Sequence, residues 1–578
     1  MLYPQSNPFR QAKDLSGSWD FKLDPKNQGL RIGWANGIRQ SRRITVPASW
    51  NEQFKETRHY LGAAWYQTHF NSPRDSKEKR VFLRFNSVNY LAQVWLNGVR
   101  LGAHEGGHLP FVFEVTNRLK SGTNLLVVRV EGELAPDRVP PGNVPFDPKD
   151  AFNNSFNPPA SFDFFPYCGI QRSVVVFSTP KESIEDVTVT TNITGKHGKA
   201  QVDAQAKTSS PASLKVSLEG FGWKTAVESP LKSGKSTDLL KVPNAKFWAP
   251  GSPYLYQLRL ELKRNGKIID QVRLLVGIRT IRVSGSQLLL NGKPVRLRGF
   301  GRHEDYPGTG RYLPPSVIRK DYEIMKWIGA DSFRTTHYPY SDEMMNLADR
   351  LGFLVIDETP AVGLFFKKDG LAKRLKLCRQ YTREMIERDK NHPSVILWSL
   401  ANEPHSHRPA AKGFFKNLAH LARSLDRTRP VTLVSYIGVK EESFRFLDVV
   451  CVNRYFGWYS EPGDLDKAIP RLSKDLDAIH KRFKKPVLVT EFGADAMPGC
   501  HTDPPEMFTE EYQAKMITGY LEVLNRKPYV ACAHVWNLCD FKTGQATHRP
   551  NGMNYKGVFT RDRKPKLAAH ALKRIWGK

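Results

Sequence analysis

From about residue 277 onward, short apolar runs alternate with helical stretches. That rhythm limits the possible folds more than any other feature of this 578-residue chain. Eight runs read as strands: 295–300, 332–336, 353–357, 395–400, 431–436, 449–455, 487–491 and 531–536. Strands covered on both faces read as unbroken apolar runs. Between two of them, Phe414, Leu418, Leu421 and Leu425 recur at helical spacing and form one apolar face. Strand–helix alternation over ~300 residues predicts a (β/α)8 barrel, which gathers the C-terminal ends of its strands on one catalytic face.

Two runs lead into glutamates. Glu403 stands in Trp398-Ser399-Leu400-Ala401-Asn402-Glu403-Pro404, and Glu491 closes Val487-Leu488-Val489-Thr490-Glu491. At roughly 30 to 40 residues per βα unit, the distance between them is about three units, which fits strands four and seven. Other predicted strands also end in groups that a packed core would not select. These are Arg302-His303-Glu304-Asp305, Arg334-Thr335-Thr336-His337-Tyr338, Asn453-Arg454-Tyr455 and Trp536-Asn537. A single strand-end glutamate is ordinarily a salt-bridge partner. Six such strand ends together predict a catalytic pocket.

Paired carboxylates on one face suit glycoside hydrolysis. In the retaining form one protonates the leaving oxygen, the other attacks the anomeric carbon, and the two stand ~5 Å apart. Like charges that close cannot both ionise cheaply, so one enters protonated. Glu403 is assigned as acid/base and Glu491 as nucleophile. Asn402 can hold the sugar 2-hydroxyl, Arg334 and Tyr455 can hydrogen-bond the nucleophile and keep it ionised, and Trp536 can floor the sugar. His303, Glu304 and Asp305 are adjacent on a strand and alternate faces, so they make a poor metal set. They are expected to hydrogen-bond inside the pocket, with no metal or cofactor.

Upstream of the barrel the pattern is all-β. Residues 1–181 show short alternating runs with turn signals such as Asn97-Gly98, which fits a jelly-roll sandwich. Residues 135–166 read as a long loop. Residues 182–276 have the length and alternation of an immunoglobulin-like sandwich, and residues 277–578 are assigned to the barrel.

The net charge is +30. It admits an anionic partner such as an acidic saccharide, or a basic surface that aids solubility. The basic residues are spread along the chain without a nucleic-acid motif. No run approaches the ~18 apolar residues of a membrane span, and the N-terminus lacks an apolar signal core, so a cytoplasmic location is expected. Six cysteines occur without a CxxC pair, which disfavours disulfides and zinc.

On these residues the chain resembles glycoside hydrolase family 2, and within it the bacterial β-glucuronidases. The similarity runs from Leu15-Ser16-Gly17-Ser18-Trp19 to Arg561-Asp562-Arg563-Lys564-Pro565-Lys566. Gly299-Phe300-Gly301-Arg302-His303-Glu304-Asp305 is similar to the family's first barrel strand, and Asp389-Lys390-Asn391-His392-Pro393-Ser394 with Asn402-Glu403-Pro404 to its acid/base signature. The resemblance implies the same roles for Glu403 and Glu491. It also implies that Asn554-Tyr555-Lys556 is the Asn-x-Lys motif that recognises a sugar carboxylate. A cation beside an amide donor suits that group, since charge-assisted hydrogen bonds are about twice as strong as neutral ones. By the same resemblance Asp163 reaches the pocket from the jelly-roll domain. His337, Asn453, Tyr455, Tyr459 and Arg549 contact substrate, although one extra residue separates Arg549 from the motif.

The implied activity is that of a retaining exo-β-glucuronidase, with β-galacturonidase or a dual uronidase as the alternative. Asn554 and Lys556 disfavour a β-galactosidase, and the intact carboxylate pair disfavours a non-catalytic carbohydrate-binding protein. The family's habit of oligomerising implies a homodimer or homotetramer. Gly363-Leu364-Phe365-Phe366-Lys367-Lys368-Asp369-Gly370 leads quickly into a helix, where many relatives carry a long covering loop, so the entrance is expected to be open.

Overall fold

The computed structural model describes residues 2–73, 76–143, 156–366 and 370–577. The chain divides into two units. One comprises Met1–Glu133, Tyr167–Thr280 and Glu387–Pro393; the other comprises Leu134–Pro166, Ile281–Ile386 and Ser394–Lys578.

The first unit holds two β-sandwiches. In the N-terminal one, a six-stranded sheet runs in the order Arg42–Val46, Gly17–Asp24, Ala63–Asn71, Thr123–Glu131, Leu91–Leu96, Val99–Glu105. Its partner sheet runs Gln11–Asp14, Val174–Pro180, Lys79–Phe85, Phe111–Glu114. Trp19, Phe21, Trp50, Tyr66 and Phe85 belong to the buried core of this sandwich. The immunoglobulin-like sandwich joins a three-stranded and a four-stranded sheet. Lys235–Val242 alternates exposed and buried side chains along its whole length, the period of two that a half-buried strand requires.

The second unit is built around a closed barrel of eight parallel strands. We number these β1 (Leu297–Arg302), β2 (Ser332–Thr335), β3 (Leu354–Glu358), β4 (Val395–Asn402), β5 (Val431–Ser435), β6 (Val450–Asn453), β7 (Val487–Glu491) and β8 (Val530–Val535). The strands of β3, β4, β5 and β7 are buried at every position, which explains their unbroken apolar sequence. The first strand begins later than the sequence suggests. Val295 donates its amide to Leu288 in the preceding antiparallel meander, and the barrel strand continues to Arg302.

Helices follow most strands: α1 (Pro315–Ile328), α2 (Asp342–Leu351), α3 (Leu371–Asp389), α4 (Pro409–Leu425), α5 (Leu465–Phe483), α6 (Glu510–Asn525) and α7 (Leu567–Trp576). Between β5 and β6 only two short 3-10 turns intervene. Helix α2 shows the local logic. The Ser341 side chain accepts from the Met344 amide, Asp342 and Glu343 occupy the positive N-terminal turn, and Gly352 closes the helix at φ 78°. In α4, Phe414, Leu418 and Leu421 are buried, while Leu425 is only partly so. No helix among the described residues is long and apolar enough to cross a membrane.

Candidate active site

A cavity of about 340 Å³ opens at the C-terminal ends of the barrel strands, lined in part by Asn402, Glu403, Tyr455, Glu491 and Trp536. Its walls include Asp163 and Phe162 from the 134–166 segment, which belongs to the same unit as the barrel. Two glycines permit the close packing behind it. A Cβ at Gly299 would lie 1.8 Å from the Ser332 carbonyl oxygen, and one at Gly301 would lie 2.5 Å from the Trp536 ring. The Trp536 indole therefore sits over bare backbone, stacked on His337 with ring centroids 5.1 Å apart.

Glu403 leaves β4 with φ 46°, a left-handed conformation that is uncommon for a side chain of this size. The turn is held by its amide, which donates to the Val434 carbonyl at 2.9 Å. Strain of this kind gathers at sites that the surrounding structure over-determines. Here it swings the carboxyl towards β6, where Asn453 Nδ2 donates to Glu403 Oε1 at 2.7 Å.

Glu491, at the end of β7, has different neighbours. Arg334 Nη2 donates to its Oε1 in a buried ion pair, and Tyr455 Oη donates to Oε2 at 2.8 Å. Burial raises both carboxyls. It lifts Glu491 to about 8, with Arg334 opposing and the Glu403 charge adding to the rise. It lifts Glu403 as well, with Asn453 and Arg334 opposing and Glu358 adding. Asn402 bridges the two, its Oδ1 lying 3.3 Å from both Arg334 Nη1 and Asn453 Nδ2.

Behind the pair stands Glu358, the last residue of β3, which the sequence reading did not include. It is fully buried. Its oxygens accept from Arg334 Nη1, His337 Nδ1 and Ser399 Oγ, each at 2.8 Å. Burial opposes its charge, but Arg334 and His337 overcome that and hold its carboxyl below the usual range. Burial also pushes His337 down to about 4, against the pull of Glu358, so the imidazole is neutral at physiological pH.

A second group of charges lies around Tyr459. Arg549 forms an ion pair with Asp163 and donates from Nη2 to Tyr459 Oη at 3.0 Å. Asn554 Nδ2 donates to Asp163 Oδ2 at 2.9 Å. Lys556 Nζ donates to Tyr459 Oη at 3.1 Å and pairs with Asp495, a residue that the sequence reading also passed over. Asp495 further accepts from the Tyr555 amide at 2.8 Å and lies 3.5 Å from Arg549 Nη1. Burial opposes the Asp495 charge, but Lys556 and Arg549 hold its carboxyl low. Between Arg549 and Asn554 the chain passes through the turn Pro550–Gly552, where Asn551 takes φ 56°.

All the predicted site residues therefore meet in two connected clusters. Asp163, His337, Asn402, Glu403, Tyr455, Tyr459, Glu491 and Trp536 line the cavity, whereas Arg334, Asn453, Arg549, Asn554 and Lys556 stand behind it, each bonded to a lining residue. His303, Glu304 and Asp305 differ from expectation. They do not line the cavity: His303 packs against Phe164, Trp536 and Phe541, Glu304 accepts from the Ser341 amide, and Asp305 pairs with Arg561. They lie just past the last residue of β1, where these contacts hold them in the wall. His405 and Tyr436 add to the lining without having been singled out in the sequence. Lys367, Lys368 and Asp369 of the predicted short loop lie outside the described residues. No cluster of three or more His, Cys, Asp or Glu residues among the described residues could hold a metal ion.

Comparisons with known proteins agree with this architecture. Three family models match in order: the sugar binding domain of glycosyl hydrolases family 2 at 12–180, the family's central domain at 182–279, and its TIM barrel domain at 281–578. A β-glucuronidase of Paenibacillus borealis is 40% identical over all of this chain and 98% of its own length. A solved β-glucuronidase from an uncultured Clostridium sp. superposes with a TM-score of 0.93 at 39% identity, covering 100% of this chain and 99% of that one. A Ruminococcus gnavus β-glucuronidase in complex with D-glucuronic acid gives 0.92 at 36% identity, with the same coverage.

Proposed function

The chain belongs to glycoside hydrolase family 2, and from that premise we propose that it is a retaining exo-β-glucuronidase releasing terminal β-D-glucuronic acid. The observation that carries the mechanism is the unequal bonding of its two carboxyls. Glu491 receives a guanidinium and a phenol, whereas Glu403 receives one neutral amide. Two acids in one cavity titrate as a pair, and the donors decide where the remaining proton sits. The charge rests on Glu491 and the proton on Glu403, even though burial raises both.

Hydrolysis then takes two steps. Glu403 gives its proton to the glycosidic oxygen as a Glu491 oxygen attacks C1 from the opposite face. The C1–aglycone bond breaks, the aglycone leaves as an alcohol, and a glycosyl ester forms on Glu491. Water next attacks C1 and gives a proton to the Glu403 carboxylate. The ester bond breaks, and the sugar departs with its original configuration. Asn402, whose Oδ1 is already engaged, has Nδ2 left to donate to the 2-hydroxyl, a contact that strengthens in the transition state. Trp536 supplies an apolar face to the ring.

Arg549, Asn554 and Lys556 form the end of the site that takes the sugar carboxylate. Support comes from their convergence beside Tyr459 and from the relative that binds D-glucuronic acid. A cytoplasmic location accords with six cysteines that are all unpaired thiols. A homodimer or homotetramer rests on family habit and is open to sedimentation. Proton NMR of fresh digests tests the mechanism: the β-anomer of glucuronic acid should appear first. Initial release of the α-anomer would remove Glu491 from the nucleophile role.

A further inference from the structure

We propose that Glu358 is a positioning residue for this hydrolysis: a buried carboxylate that holds Arg334 against Glu491 and fixes His337 with its Nε2 bare towards the substrate. The inference rests on the hydrolytic reading above and deepens it.

The donor inventory decides the tautomer. An ionised carboxylate only accepts, and a guanidinium only donates. His337 Nδ1 lies 2.8 Å from Glu358 Oε1, so the hydrogen must be on Nδ1. The 3.3 Å approach of Arg334 Nη1 to the same nitrogen is then proximity within a shared cluster. With Nδ1 committed and the ring neutral, Nε2 carries a lone pair. It lies 3.7 Å from Glu491 Oε1 on a residue that lines the cavity. Such a nitrogen can accept a hydrogen bond from a sugar hydroxyl beside the reacting carbon.

Arg334 is the second object held. It is fully buried and lies between two carboxylates, Glu358 at 2.8 Å through Nη1 and Glu491 through Nη2. Without Glu358 the guanidinium plane would lose its anchor on the β3 side. The groups facing Glu358 are Arg334 and Thr335 from β2, His337 just after it, Ser399 and Glu403 from β4 and the residue beyond it, and the Cys451 thiol from β6. Its charge therefore acts on both reacting carboxyls. It shares the cation that stabilises Glu491, and it repels a charge on Glu403.

The test compares the pH dependence of kcat/KM for the full-length wild type, Glu358→Gln and Glu358→Asp on an aryl β-D-glucuronide. Glutamine removes the charge at nearly equal volume. Arg334 then acts on Glu491 alone, and Glu403 loses a repelling neighbour, so both limbs should move to lower pH by about one unit. The rate at the optimum should fall about tenfold to a hundredfold from misplacement. Aspartate keeps the charge and should keep the wild-type limbs despite a lower kcat. Limbs that stay in place in a folded Glu358→Gln variant would overturn the proposal, because a merely structural role lowers rate or Tm without moving them. If that variant does not fold, neutron diffraction from wild-type crystals decides. Deuterium on His337 Nδ1 with bare Nε2 supports the assignment, and deuterium on Nε2 overturns it. A wild type inactive on every glucuronide would instead sink the hydrolytic reading itself.

Discussion

The two ends of the cavity handle charge in opposite ways. At the end proposed for the reaction stand three carboxyls, Glu358, Glu403 and Glu491, with one buried guanidinium, Arg334, among them. Around Tyr459 stand two cations and two anions, Arg549 and Lys556 with Asp163 and Asp495. The first cluster has more acid than base. It keeps a proton because burying another net charge costs more than protonating a carboxyl. The second is balanced, so its cations are desolvated and oriented before a ligand arrives. Breaking one partner of such a buried group costs far more than the group contributes as a whole. The excess of acid suits proton transfer; the balanced group suits recognition of an anion without moving protons.

The largest effect should come from the acid-rich end. Glu491→Gln removes the attacking oxygen, and turnover on any glucuronide should fall by about four orders of magnitude or more, ~5 kcal/mol of barrier. Glu403→Ala should cost about 10²- to 10⁴-fold on substrates with poor leaving groups. It should cost much less on activated aryl glucuronides, where azide restores turnover. Equal losses on both substrate classes, with no azide rescue, would remove Glu403 from the acid/base role.

The balanced end should respond differently. Lys556→Ala leaves Asp495 without its nearest cation, and uronide kcat/KM should fall by about 30-fold to several-thousand-fold, ~2–5 kcal/mol. A weak galactoside activity should be spared. Proton transfer is not its task, so the limbs of the pH profile should stay near those of the wild type; a shift comparable to that of Glu358→Gln would erase the contrast between the two ends.

The smallest effect is on stability. Burial pushes Glu491 up to about 8 and raises Glu403 as well, so the proton that the two share, resting on Glu403, leaves the pair only in that range. A carboxyl raised on folding contributes stability that is fully present below 4.5 and lost as pH climbs through about 8. Glu491→Gln escapes this loss, so its Tm should exceed that of the wild type by a growing margin across that window, reaching ~2 °C or more. A constant margin would show that the carboxyl is not buried as described.

Much of this was legible in the chain because the barrel strands are buried on all sides and leave an apolar signature that ends at the catalytic face. Glu403 and Glu491 were visible as polar interruptions of those runs. Glu358 was not, because the predicted third strand stopped at Asp357 and a single carboxylate past a strand resembles an ordinary helix-start residue. Asp495 was hidden for another reason. It lies four residues beyond β7, and its partners Arg549 and Lys556 are 54 and 61 positions further along. No local pattern records such pairings. The direction of His303 was misjudged because it lies just past the last residue of β1, beyond the strand whose alternation the reading assumed. The reading of β1 began two residues early because Val295 is apolar in either setting, whether in the meander or in the barrel.

The central claim is that one end of the cavity performs the chemistry while the other selects the uronate. Initial rates on p-nitrophenyl β-D-glucuronide and β-D-galactoside, for the wild type and Lys556→Ala side by side, test it most directly. The account predicts a strong glucuronide preference that collapses in the variant while galactoside turnover persists. A wild type that prefers the galactoside, or a variant that loses both activities equally, would contradict it.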